Sequence, residues 1–243
     1  MDILKGIRII GLSLYFNRTL VIADIHIGYE EALNNAGILV PRLQFRDIVE
    51  KIDDIFLSLK NKRIDRIIIN GDLKHEFGTI SVQEWRNVLK FIDLLKKHCN
   101  EVILIRGNHD KILGVIAGKR NIRLQDFFLD KTGNILICHG DNFPTDNVLN
   151  CASTIIIGHE HPAISLKEGA RVEQVKCFLK GKFKGKDLIV QPSFNSIIEG
   201  TNVLKDEILS PFLRQKRNLG DFEVFVVEEE TLYFGKLKNL RSN

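Results

Sequence analysis

Five short apolar runs punctuate the chain, at 19–26 (TLVIADIH), 66–72 (RIIINGD), 102–108 (VILIRGN), 135–141 (ILICHGD) and 154–161 (TIIIGHEH). They are rich in Ile and Val and show little alternation, the pattern of strands buried on both faces. Helical patterns separate the first three. In 44–62, apolar residues at 45, 48, 49, 52, 55, 56 and 59 recur at helical spacing. In 81–98, Ser81 and Glu84 form a capping-box signature, and lysines close the segment where they suit a helix C-terminus. Strand–helix–strand order predicts an α/β fold with parallel strands or a mixed sheet. After residue 162 the pattern changes. Segments 163–169, 172–190 and 223–237 alternate more and read as hairpin strands. They are expected to build a second sheet packed on the first, with residues 1–243 making a single domain.

Each apolar run ends in unusual polar residues. The first delivers Asp24 and His26, the second Gly71 and Asp72, and the third Gly107, Asn108, His109 and Asp110. The fourth delivers His139 and Gly140, and the fifth Gly158, His159 and His161. In open α/β sheets the carboxyl ends of strands line the ligand crevice, so these residues are expected to converge. Of the 7 histidines, only His75 and His98 lie off the strand ends, and His75 is three residues past Asp72. His159 and His161, if extended, share one side while Glu160 points away.

Seven candidate metal ligands result: Asp24, His26, Asp72, Asn108, His139, His159 and His161. Carboxylate, amide oxygen and imidazole together suit Mn, Fe, Zn or Ni, and the absence of Cys argues against a structural zinc site. So many ligands exceed the needs of one ion. Two ions about 3.5–4 Å apart, bridged by one carboxylate, can use them all and can clamp both oxygens of an in-line phosphoryl displacement. The neighbouring glycines let the backbone turn sharply where a side chain would crowd the ions.

The motifs DIH, NGD, RGNHD, CHGD and GHEH resemble, in order, the five motifs of the calcineurin-like metallophosphoesterases. The resemblance spans residues 19–162, and GDLKHEFG (71–78) is similar to the SbcD-type nuclease branch, most narrowly to its archaeal SbcD-related phosphoesterases. It implies a four-layer αββα fold of two stacked mixed sheets flanked by helices. It implies that Asp24, His26, Asp72 and His161 hold one metal, and that Asp72, Asn108, His139 and His159 hold the other, with Asp72 bridging. Two divalent ions, Mn foremost with Ni, Fe or Zn as alternatives, would activate a water as nucleophile. His109 would protonate the leaving oxygen or stabilise the transition state, with Asp110 orienting it. A role for His109 as a hydrogen-bonding neighbour of the ligands is the competing assignment.

Composition narrows the classes. The 44% hydrophobic content supports a core, and a net charge of +4 permits phosphate-bearing partners without demanding nucleic acid. No apolar run is long enough to span a membrane, and no signal-type segment opens the chain. Four separated cysteines fit reduced thiols, so a cytoplasmic location is expected. The expected substrate is a phosphodiester, with phosphomonoesters, nucleotides and nucleic acid also in range. The alternatives are an SbcD-related DNA nuclease and a non-catalytic interaction module on the same fold. His75 is balanced between substrate contact and structural hydrogen bonding, and Asp141 reads as a turn residue. Arg42 reads as a solvated charge, Arg106 stays undecided between that role and phosphate binding, and 192–195 is a strand-to-turn element. Lys176, Lys180, Lys182, Lys184 and Lys186 read as a solvated hairpin face rather than a nucleic-acid track.

Overall fold

The computed structural model describes residues 1–76, 81–110, 113–168, 171–205, 207–214 and 219–240. The first sheet has the order β1 (Asp2–Leu4), β2 (Ile7–Ile10), β3 (Ser13–Phe16), β4 (Thr19–Ala23), β5 (Arg66–Asn70), β6 (Glu101–Ile105) and β7 (Arg123–Gln125). Its first four strands form an antiparallel meander, and β4 to β7 run parallel. The connections carry α1 (Tyr29–Asn35), α2 (Gln44–Ser58), α3 (Val82–Leu95) and α4 (Leu113–Arg120).

The second sheet contains β8 (Phe127–Asp130), β9 (Ile135–Cys138), β10 (Thr154–Ile157), β11 (Pro162–Glu168), β12 (Arg171–Phe183), β13 (Lys186–Val190) and β14 (Thr201–Asn202). A hairpin of β15 (Glu223–Val227) and β16 (Thr231–Lys236) joins it through β12. Short helices α5 (Asp146–Asn150), α6 (Pro211–Arg214) and α7 (Leu237–Leu240) cover its outer side.

Alternate residues of the isoleucine runs serve different cores. Val21, Ile68 and Ile103 are in register and face Ile137, Ile156 and Ile189 of the other sheet. Leu20, Ile67 and Leu104 face outward onto Ile48, Ile52, Phe91 and Leu95 of α2 and α3. Leu136, Ile155 and Leu188 face Leu149, Phe212 and Leu237. Each run is apolar throughout because both of its faces are covered, which gives the four layers αββα.

Three expectations are corrected. The boundary between the sheets falls after β7, so β9 and β10 belong to the second sheet with the later hairpins. Both sheets bury both faces, so the apolar pattern cannot sort strands between them. The strands also stop before their candidate ligands, at Ala23, Asn70, Ile105, Cys138 and Ile157. Left-handed backbone at Asp24 (φ 55°), Gly71 (80°), Asp72 (43°), Gly140 (108°) and His159 (64°) ends the extended conformation. Finally, the lysines of 176–186 do lie on a hairpin, with Lys182 and Lys184 exposed, but they do not share one open face. Lys180 pairs with Glu223 and Lys182 with Asp187, while Lys176 and Lys186 donate to backbone carbonyls. Lys184 and Gly185, both at positive φ, make the turn between β12 and β13.

Candidate metal centre

The C-terminal ends of β4, β5 and β6 in one sheet and of β9 and β10 in the other bring all seven candidate ligands together. Asp24, His26, Asp72 and His139 are buried, forming a floor, and Asn108, His109, His159 and His161 are half-exposed at the mouth. Candidate donor atoms of Asp24, His26 and His161 lie within 4.8 Å of one another, and so do those of Asp72, His139 and His159. His161 Nε2 is 3.4 Å from Asp24 Oδ1 and 3.4 Å from His26 Nε2. His139 Nε2 is 3.4 Å from Asp72 Oδ2, 3.2 Å from His159 Nδ1 and 3.0 Å from Asn108 Oδ1. The two sets meet at Asp72, whose Oδ2 is also 3.8 Å from His26 Nε2.

His159 and His161 reach the centre by another geometry than extended backbone. Both have positive φ (64° and 49°), and each joins a different set of three. Glu160 does point away: its buried carboxylate accepts from the N–H groups of Leu209 and Ser210. Five of the candidate ligands, Asp24, His26, Asp72, His159 and His161, occupy the left-handed region. Such residues cost about 1–3 kcal/mol each and persist where surrounding contacts over-determine them. Here the contacts are visible. Asp24 Oδ2 accepts from His159 N at 2.9 Å, and Asp72 Oδ1 accepts from His109 N at 2.9 Å. A Cβ on Gly107 would lie 2.1 Å from Asp72 Oδ1, so only glycine lets the third motif close over Asp72.

The electrostatics leave lone pairs facing one another. Burial, then the His161 charge, holds His26 well below the usual imidazole range. Burial, then His139, pulls His159 down to about 4. Burial also opposes charge on His139 and Asp72, but their mutual hydrogen bond and charges outweigh it. His139 is lifted above, and Asp72 held below, its ordinary range. Asp24 Oδ1 is buried without a hydrogen-bond partner. Imidazoles and carboxylates crowded at 3.0–3.5 Å around an orphaned oxygen fit a divalent cation better than they fit one another. His139 Nδ1 faces the Asn70 carbonyl at 3.5 Å, which favours the tautomer that leaves Nε2 to a metal.

The other candidates are placed as follows. His109 Nε2 lies 4.0 Å from Asp72 Oδ2, and its Nδ1 rests against the His75 carbonyl oxygen. Asp110 turns back on Gly107 instead, its Oδ2 accepting that N–H at 3.0 Å, and burial followed by the Asp72 charge lifts it to about 7. The tight turn Gly107–Asp110 directs the carboxylate inward, so the group that orients His109 is the His75 carbonyl. The His75 ring packs edge-on against Tyr29. Asp141 bonds with Asn142, Arg106 pairs with Asp126, and Arg42 donates to Gln83.

Sequence reasoning missed the residues behind the site. Gln44 donates from Nε2 to the His26 carbonyl at 2.8 Å and accepts from Gly28 N at 3.1 Å. Glu84 Oε1 accepts from the N–H groups of His75 and Glu76, so it leaves the capping box half-made, although Ser81 Oγ does accept from Glu84 N. Ser193 Oγ donates to the Asp24 carbonyl, and Asn195 Nδ2 reaches the His26 carbonyl. A signal existed for two of them. Gln44 and Glu84 sit on the apolar stripes of their helices, in line with Ile48 and Ile52 and with Val88 and Phe91. A buried polar group needs a partner, so a polar residue on such a stripe marks a buried hydrogen bond.

A model of the calcineurin-like phosphoesterase family matches residues 17–217. The chain belongs to that family. As a calcineurin-like phosphoesterase it is a metal-dependent hydrolase of phosphoesters, and its histidine–aspartate clusters are the candidate metal sites. No match was found among curated proteins. Among solved structures, the Pseudomonas putida nuclease MPE is similar at 17% identity, with 91% of each chain covered and a TM-score of 0.59. Wild-type Vps29 complexed with zinc, from Entamoeba histolytica, is 17% identical over 89% of this chain and 99% of its own, with a TM-score of 0.38. The first likeness supports the αββα fold of this calcineurin-like phosphoesterase. Among the described residues no helix is long and apolar enough to cross a membrane.

Proposed function

We propose that this phosphoesterase is a binuclear enzyme that hydrolyses phosphodiesters. The observation that carries the reading is the position of Asp72 Oδ2, 3.8 Å from His26 Nε2 in one set and 3.4 Å from His139 Nε2 in the other. A carboxylate shared between two ligand sets suits a bridge. Asp24, His26, Asp72 and His161 would hold one ion, and Asp72, Asn108, His139 and His159 the other. Ions bound there would supply an activated water and neutralise phosphoryl charge. The oxygen-and-imidazole donor set suits Mn, with Ni, Fe and Zn next.

The chain's own residues position and protonate. The His75 carbonyl accepts a hydrogen bond from His109 Nδ1–H and so turns Nε2 towards the ligand sets, 4.0 Å from Asp72 Oδ2. As an imidazolium, His109 gives its Nε2 proton to the leaving oxygen. Asp110 holds the Gly107 turn that carries Asn108 and His109. We assign the protein to the SbcD-related branch on segment 71–78, whose last two residues lie outside the described residues. Its substrates are then nucleotide or nucleic-acid diesters. A cytoplasmic location accords with four unpaired cysteines.

The test is a hydrolysis panel with Mn, Ni, Zn and Mg on bis-p-nitrophenyl phosphate, p-nitrophenyl phosphate, cyclic nucleotides and single- and double-stranded DNA. Diester hydrolysis with Mn is expected to lead. Silence on every diester with every metal sinks the reading, and cleavage confined to DNA makes the protein a nuclease. Asp72→Asn tests the bridge. It is expected to abolish activity and both metals while leaving the circular dichroism spectrum intact, and near-normal metal content would remove Asp72 from the bridge.

A further inference from the structure

A second cavity, of about 490 Å³, lies between α2, the turn from β2 to β3, and strands β12 and β15. Its volume is that of a pocket for a small organic molecule, commonly about 300–1,000 Å³. Ile55, Val175, Phe194 and Val227 give it apolar walls, and two half-buried lysines, Lys51 and Lys176, enter it. Among the described residues neither lysine pairs with a carboxylate. Lys176 donates instead to the carbonyls of Ser193 and Asn195. An ammonium has three donors, so this leaves one for a guest. The acids of the cavity, Asp54, Glu173, Glu228 and Glu229, are exposed at its rim, where water screens them.

Two ammonium groups close enough to repel, half-buried beside apolar walls, gain from an anion placed between them. Burial and the Lys51 charge pull Lys176 down to about 7, and burial lowers Lys51 as well. The charges of Asp24 on Lys176 and of Asp47 on Lys51 oppose these shifts without outweighing burial.

We propose that this cavity is a binding site for a small molecule with one anionic head and an apolar body, the head between Lys51 and Lys176. The site adjoins the metal centre through one segment. Ser193 and Asn195, which receive the Lys176 ammonium on their carbonyls, hold the backbone carbonyls of Asp24 and His26 with their side chains. Phe194, between them, lines the cavity and donates its N–H to the Ala23 carbonyl. A head group that draws Lys176 away from these carbonyls loosens the support of two metal ligands. Occupancy is therefore coupled to metal affinity, and the coupling is reciprocal.

The test uses the full chain, with decanoate as the anionic probe, decyl phosphate as a second head group and decanol as the neutral control. Calorimetry is expected to find one site per chain for decanoate or decyl phosphate and at least tenfold weaker binding of decanol. The stronger of the two anions identifies the head as carboxylate or phosphate. Lys51→Met and Lys176→Met are each expected to weaken anion binding at least tenfold. If Lys176→Met fails to fold, Lys51→Met and Lys51→Glu carry the test. Equal affinity for decanoate, decyl phosphate and decanol, or wild-type affinity in Lys51→Met, overturns the site. Saturating probe is expected to shift the Mn dissociation constant at least threefold, and an unchanged constant overturns the coupling.

Discussion

At the residue scale, neighbouring histidines have separable duties. His159 and His161 each cluster with a buried aspartate, whereas His109 clusters with His26 and His75 only, meets Asp72 through its backbone N–H and stands 4.0 Å from it by its ring. Replacing His159 or His161 with Ala is expected to weaken metal binding, with excess Mn partly restoring the rate. His109→Ala is expected to keep both metals yet lose roughly 10²–10⁴ in turnover, the range for a lost general acid. The loss should shrink with p-nitrophenolate as leaving group, since it needs little protonation. Metal content and kcat on an alkyl and an aryl diester decide the matter: full alkyl-ester turnover in His109→Ala excludes it from proton transfer. His139 gives a pH dependence. Burial lowers its pKa, but the Asp72 hydrogen bond and the charges of Asp24 and Asp72 outweigh this and raise it above the ordinary value of 6.5. A raised folded-state pKa stabilises the metal-free protein fully below that ordinary value, and this stabilisation fades as pH rises towards the folded one. Metal must displace that proton. Metal affinity is therefore expected to rise by roughly tenfold per pH unit from about pH 6.5 to 8. Calorimetric Mn titrations at several pH values check it, and a flat profile would mean that His139 is neutral before the metal arrives.

At the scale of elements, helices and strands act as props for left-handed turns. α2 begins at Gln44, which is tied to both Gly28 and His26, and Glu30 caps the Gln44 N–H from α1. Gln44→Ala leaves the His26 carbonyl and the Gly28 N–H without this partner. The expected cost is about 1–3 kcal/mol of stability, with metal affinity falling roughly 10–100-fold as for other groups that orient ligands. Denaturant unfolding and Mn titration measure the two effects, and unchanged Mn affinity would make Gln44 purely structural. The elements themselves were readable to different degrees. Both long helices follow their apolar spacing, shortened to Gln44–Ser58 and Val82–Leu95. The meander β1–β3 escaped because strands of three or four residues are too short to show a period.

At the scale of the whole molecule, the centre is a seam between two sheets that share an isoleucine core. Val21, Ile68 and Ile156 pack there beneath the ligands. That core does not depend on the ions, so chelation is expected to lower the melting temperature without unfolding the chain. At a hundredfold excess of ion over Kd, each site adds about 2.7 kcal/mol. Calorimetric melting with and without chelator measures it, and loss of the far-ultraviolet dichroism spectrum at 25 °C on chelation would show that the ions build the fold. The sequence by itself determined the α/β class and the convergence of the candidate ligands, because apolar runs and strand-end polar residues are local patterns, and the resemblance of its five motifs to a known family added the four αββα layers. Tertiary structure alone decided which strand joins which sheet, since strands buried on both faces look alike wherever they pair. It also decided the geometry of the centre. Left-handed backbone carries His159 and His161 to the separate sets that the family resemblance implies, and His109 rests on the His75 carbonyl rather than on Asp110. These turns are held by hydrogen bonds from residues distant in the chain, such as Ser193 and Asn195, and no spacing within a motif encodes such partners.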